Sequence, residues 1–232
     1  MNVPRWYAAG GPAFIALLLA VDTQVGLRAQ LALGVLTWAV LVAAIWPLEA
    51  IVRAQVVGVV LFATVAEVTG SLVWGVYRYR LHNLPLFIPP AHGLVYLSGV
   101  ALAAVVRPRP LVAVAAVGCV GWGLAGITVL PRLDVAGAMC VPLLCVFLWR
   151  SRFRAAYAGV FVVVAALELY GTSIGTWRWA TALPGLGIAQ GNPPSGVASG
   201  YVWFDVMALL VAPSLLSASR GLRARLTPAT AA

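Results

Sequence analysis

"EVTGSLVWGVYRY", residues 67–79, sets a glutamate inside one of the most apolar parts of the chain. "ELYGTSIGTWRW", residues 168–179, repeats the phrase in the second half. Arg53 and Arg154 are 101 positions apart, as are Glu67 and Glu168, and Gly70 and Gly171. After a one-residue offset "GVYRY" (75–79) matches "GTWRW" (175–179), and "PPAHGLVY" (89–96) parallels "PPSGVASGY" (193–201). A repeat of this period predicts a duplication of four helices covering much of each half.

Composition sets the environment. The chain has 232 residues, 62% of them hydrophobic and 9% charged, with a mean hydropathy of +0.98. Runs of about 20 apolar residues are the length that crosses a bilayer. The chain therefore reads as an all-α integral membrane protein. Hydrophobic runs bounded by Arg, Pro and Gly predict eight spans: 8–25, 30–47, 54–77, 85–106, 110–129, 134–149, 155–176 and 195–217. The sixth is short and Asp22 interrupts the first, so seven spans is the alternative. The repeated spans, third and seventh, cross in the same direction. The two four-helix repeats, 1–109 and 110–217, are thus expected to be parallel, related by an axis along the membrane normal.

The net charge of +9 comes from fifteen arginines and no lysine. They are scattered between apolar segments, which excludes a basic face for nucleic acid and fits loop charges that orient helices. With the N-terminus inside, cytoplasmic segments hold Arg5, Arg53, Arg107, Arg109, Arg150, Arg152, Arg154, Arg220, Arg223 and Arg225. The other side holds Arg28, Arg78, Arg80, Arg132 and Arg178. The asymmetry predicts both termini on the cytoplasmic side of the cell's inner membrane. Residues 218–232 read as a short disordered cytoplasmic tail. Cys119, Cys140 and Cys145 fall in apolar segments without metal-ligand spacing and read as small buried thiols. Neither a metal nor a cofactor is implied, and the oligomeric state is not readable.

The acids share a depth. Glu67 and Glu168 are each the fourteenth residue after an arginine, and Asp205 lies about eleven residues into the last span. At 1.5 Å per residue all three fall near the bilayer midplane. A charge there costs on the order of 2.5–3.5 kcal/mol, so such groups face a protein interior with a partner. His92 and Tyr96 form an i, i+4 pair on the fourth helix; Tyr201 and Asp205 form the corresponding pair on the eighth. Small residues such as Gly70, Gly171 and Gly175 are accounted for by helix packing. Of the aromatic residues toward the outer end, Tyr79, Trp179 and Trp203 suit an interfacial belt. Trp74, Tyr77, Tyr96, Tyr170, Trp177, Tyr201 and Phe204 are candidates to line a substrate pocket whose π-faces steady a cation. Arg78 and Arg178 read as snorkelling to phosphates. The greasy, Gly- and Pro-rich stretch 180–196 reads as a lid, with Asn192 offering amide contacts.

Glu-x-x-Gly, then Gly-x-[Tyr/Trp]-Arg-[Tyr/Trp] and a Pro-rich turn into the next helix, resembles the polytopic carotenoid-biosynthesis proteins that include bisanhydrobacterioruberin hydratase. Segment 67–96 carries it best. The chain is also similar in length to small membrane terpene cyclases of the pyripyropene type, in which Glu67 and Asp205 have counterparts by position. "PLEA" (47–50) is one acid short of the Pro-x-Glu-Glu motif of heterodimeric lycopene cyclases. The resemblance implies an enzyme of isoprenoid metabolism in which an acid protonates an alkene or epoxide. Aromatic faces then steady the carbocation, and water or a second alkene captures it.

The residues suit that chemistry on their own: an acid to donate a proton, a partner to take one back, and dry walls to exclude stray water. Asp205 is the first expected acid, with Glu67 and Glu168 next and His92 as orienting or accepting group. Isoprenoid lipid is the expected substrate, beside membrane lipids. A small proton-coupled transporter using the midplane carboxylates is the alternative.

Overall fold

The computed structural model describes residues 3–226. Its described residues form eight α-helices: α1 (Tyr7–Asp22), α2 (Leu27–Ile45), α3 (Ala50–Glu67), α4 (Ile88–Val105), α5 (Pro108–Thr128), α6 (Val135–Arg150), α7 (Arg154–Ser173) and α8 (Val197–Leu226). Six are long and apolar enough to cross a membrane: α2, α3 with its continuation to Trp74, α4, α5, α7 and α8. The chain is an all-helical membrane protein. α1 and α6, at 16 residues each, are the shorter apolar helices, the same two that looked doubtful in the sequence. Helix bounds follow the expected spans to within a few residues, except that α3 ends at Glu67, its π-helical continuation at Trp74, and α8 runs on to Leu226. Residues 218–226, expected as part of a disordered tail, are helical; 227–232 lie outside the described residues.

Local sequence explains the helix starts. Prolines occupy the first turns of α4 and α5, where no backbone N–H is needed. Asp134 caps α6, its carboxylate accepting from the Gly137 N–H at 3.0 Å. Immediately after Glu67, α3 widens into a π-helical segment, Val68–Trp74, a rare distortion that is frequent at functional sites. Gly75 and Gly175 then adopt φ of +76° and +80°. Each ends its helix in the left-handed region that only glycine enters without strain, and turns the chain into a short strand.

Those strands are the departure from an all-helical reading. Tyr77–Tyr79 (β1) pairs antiparallel with Trp177–Trp179 (β2), Tyr77 opposite Trp179, Arg78 opposite Arg178 and Tyr79 opposite Trp177. The ribbon joins the matching ends of α3 and α7.

At the centre of the bundle α3 packs on α8, and α4 packs on α7 and α1. α4 is buried along almost its whole length. Both central crossings depend on small residues. A Cβ on Gly58 of α3 would meet Ala208 of α8 at 3.1 Å, and a Cβ on Gly159 of α7 would overlap the backbone of Gly99 on α4. Gly58 and Gly159 are 101 positions apart, and Gly99 and Ala208 are 109 apart. The latter offset also separates His92 from Tyr201 and Tyr96 from Asp205. Close backbone approach lets the four helices converge on the glutamates.

Candidate functional site

Glu67, at the last α-helical position of α3, is 7% exposed and fully engaged. Its Oε2 accepts from the phenols of Tyr77 (2.8 Å) and Tyr79 (2.7 Å). Its Oε1 lies 3.0 Å from Nε2 of His92 on α4. Burial first, and the Glu67 carboxyl beside them second, push both phenols above the ordinary tyrosine range, so they remain O–H donors.

Glu168 on α7 is 5% exposed and is held differently. Its Oε2 accepts from the indole N–H groups of Trp177 (3.0 Å) and Trp179 (3.3 Å). No other side-chain hydrogen bond to its carboxyl is found among the described residues, which leaves Oε1 toward the cavity it lines.

The ribbon delivers these donors. Tyr77 and Trp179 face each other across it with ring centroids 4.5 Å apart, so one aromatic layer serves both carboxyls. The glycine three residues after each glutamate makes room for the returning ring. A Cβ on Gly70 would meet Tyr77 at 3.0 Å, and one on Gly171 would overlap the Trp177 indole. The glycines of the Glu-x-x-Gly motif therefore seat an aromatic from their own strand, where helix packing was the expectation.

Both glutamates and His92 line one cavity of about 420 Å³, within the small-molecule range. Its walls are otherwise mainly aromatic and aliphatic, with Gln190 and Cys140 among them. The Tyr201 ring stacks on His92 at 4.9 Å, and Phe204 meets Tyr201 at 5.8 Å. Trp74, Tyr77 and Trp177 also line it, whereas Tyr96, Tyr170 and Asn192 do not. Tyr96 is buried one turn away, donating to Gln55 Oε1 at 3.1 Å. Tyr170 packs against the core, and Asn192 Oδ1 accepts from the Trp179 N–H at 2.9 Å, fixing β2. Asp205 is 2% exposed but does not line this cavity either.

Residues that sequence reasoning missed complete the site. Tyr79 and Trp179, assigned to an interfacial belt, are instead glutamate donors; Trp203 is half exposed. The stretch 180–196 folds over the cavity as a cover pinned from below. Gln190 donates to the Val76 carbonyl (2.8 Å), and the Trp74 indole donates to the Pro184 carbonyl (2.9 Å). Asp134 anchors the far end, accepting from the N–H of Gly191 (2.7 Å) and from both N–H and O–H of Ser195 (2.6 Å each). The Arg132 guanidinium donates to the carbonyls of Trp179 and Ala180. Of the cysteines, all free, Cys119 is buried, Cys145 half-buried and Cys140 exposed at the cavity wall.

Chemically the site offers two carboxyls and an imidazole in a water-poor aromatic chamber, with hydrogen-bond donors fixed on each carboxyl. No protein-family model, curated protein or solved structure matches the chain.

Proposed function

We propose that the chain is an integral membrane enzyme of isoprenoid metabolism that performs acid-initiated hydration, cyclisation or isomerisation of a lipid-soluble polyene or epoxide. The observation that carries this reading is the pairing of Glu168 and the Glu67–His92 pair on one aromatic cavity. An ion or hydrophilic solute would find few polar partners there, whereas an alkene would find π-faces and apolar walls. The Glu-x-x-Gly resemblance to carotenoid hydratases points the same way. The architecture proposed with it is eight spans in two parallel four-helix repeats, with both termini cytoplasmic in the inner membrane. The matching glycine crossings at offsets of 101 and 109 support the duplication.

Glu168 is the acid in this mechanism. Its Oε1 faces the cavity and gives its proton to the substrate double bond. The charge left behind spreads onto Oε2, where two indole N–H groups already point, so the protein need not reorganise as the charge develops. The carbocation lies against Tyr201, Phe204 and Tyr77. Capture by water, or loss of a proton, releases one proton to the Glu67–His92 pair. There the imidazole and carboxylate share it while the two phenols hold Oε2. The cover and the apolar walls keep stray water from quenching the cation early.

The test is lipid extraction from an isoprenoid-producing host expressing the wild-type chain, Glu168→Gln or Glu67→Gln at matched levels. A new hydrated, cyclised or isomerised isoprenoid in the wild type, lost in Glu168→Gln, supports the reading. An unchanged lipid profile across suitable substrates overturns it.

A further inference from the structure

At the opposite end of α3, about 18 Å from Glu67 at 1.5 Å per residue, lies a second cavity of about 560 Å³. Gln55, Tyr157, Arg150, Ser151 and Arg152 supply its polar lining. Asp205 is buried between the two cavities, within electrostatic range of the phenols of Tyr96 on α4 and Tyr157 on α7. Tyr96 donates to Gln55, which reaches the second cavity.

On the other side, Tyr96 is one turn from His92, and Asp205 is one turn from Tyr201, whose ring stacks on His92. α4 and α8 meet here through side chains, and Asp205 lies one turn, roughly 5 Å along α8, from the residue stacked on His92. Two buried atoms there lack a hydrogen-bond partner, Nδ1 of His92 and Oδ2 of Asp205. Buried polar atoms are nearly always partnered. Two orphans one turn apart, each on a group able to carry a proton, mark a polar step through an otherwise apolar core.

We propose that Asp205 and Tyr96, with Gln55 and Tyr157, conduct protons between the Glu67–His92 pair and the second cavity. The inference rests on the reading of that pair as proton acceptor. Each turnover moves one proton from Glu168 to the substrate and one from the quenched cation to the pair. The pair passes its proton from His92 to Asp205, and Asp205 passes it past Tyr96, Tyr157 and Gln55 to water at the Arg150–Arg152 end. Glu168 takes a proton from water as product leaves. No bond other than O–H and N–H is made or broken in the relay, and the proton count closes.

Two measurements test it on the full chain in lipid vesicles. The first needs no substrate: after transfer to D₂O, infrared spectroscopy follows exchange of the imidazole ring band that His92→Gln removes. Asp205→Asn and, separately, Tyr96→Phe are expected to slow that exchange at least tenfold. Exchange at the wild-type rate in both variants overturns the relay, whatever the protein's activity. The second compares turnovers: in Asp205→Asn the first should proceed at the wild-type rate and later ones should lag at least tenfold. Loss of the first turnover as well would make Asp205 the acid itself and overturn the proposal. Wild-type protein that exchanges normally yet converts no isoprenoid would sink the enzyme reading and leave the conduction result standing.

Discussion

Glu67 and Glu168 occupy matching places in two copies of one motif, yet their surroundings differ in chemical kind. Glu67 is bound by two phenols and an imidazole, all groups that both give and receive protons. Glu168 is bound by two indoles, which only donate. The matching backbone paths deliver two aromatic donors to each carboxyl, and the Tyr-to-Trp difference decides what that carboxyl can do. One becomes part of an exchanging network; the other is gripped through one oxygen and leaves the second to the cavity. An asymmetric reaction, in which one group gives a proton and another takes it, needs two such unlike sites on one chamber.

The hardest blow to this comparison is a pair of isosteric variants. Glu168→Gln should cut turnover by about 10²–10⁴-fold, the usual worth of a general acid. Glu67→Gln should cost less, because His92 still lines the cavity as an acceptor. Product formation in membranes at matched expression measures both, and equal losses would erase the division of labour.

The cover belongs to the second half alone, and Asp134 carries its anchorage. Asp134→Asn replaces one acceptor oxygen with an amide that faces donors. At about 1.5–3 kcal/mol per hydrogen bond to a charged group, it should lower the thermal midpoint clearly and loosen the cover. Protection of residues 189–196 in hydrogen exchange should fall with it. A variant with unchanged protection would show that Gln190 and Trp74 hold the cover without Asp134.

Gly171→Ala should destabilise by roughly 1–3 kcal/mol, the range for overpacking, because the new methyl meets the Trp177 ring system. Gly70→Ala should cost less, since Tyr77 is approached at its ring edge and at a longer distance. Thermal unfolding in detergent separates them, and a larger loss at Gly70 would reverse the ranking of the two nests.

Much of this was legible in sequence because hydropathy and helical rise report depth. Depth singled out Glu67 and Glu168, which line one cavity, and the i, i+4 pairing singled out His92 and Tyr201 beside them. Azimuth was not legible. Asp205 lies one turn along α8 from the cavity-lining Tyr201, within electrostatic range of Tyr96 and Tyr157 and outside the cavity lining. Three-residue strands are too short to announce themselves by alternation, so Tyr79 and Trp179 looked like belt residues although both reach a glutamate. Asp134 finds its partners 57 and 61 positions away, which no local pattern encodes.

The smallest effect concerns the ribbon position where the two halves present the same charge to each other. Arg78 and Arg178 lie directly opposite on the outward face of the ribbon, both exposed. Side chains so placed have Cβ atoms about 4.5–5.5 Å apart, and like charges there are destabilising, with cross-strand pairs worth roughly 0.2–1 kcal/mol. Neutralising either should therefore raise stability slightly. The two are not equivalent, because Arg132, pinned on the Trp179 and Ala180 carbonyls, adds a second positive neighbour to Arg178. Arg178→Gln should then stabilise more than Arg78→Gln. The gap should close as salt rises from 0.01 M to 1 M and the screening length falls from about 30 Å to about 3 Å. Thermal midpoints in neutral detergent across that salt range measure it. Destabilisation by either change at low salt would mean the arginines are held by something other than each other's repulsion.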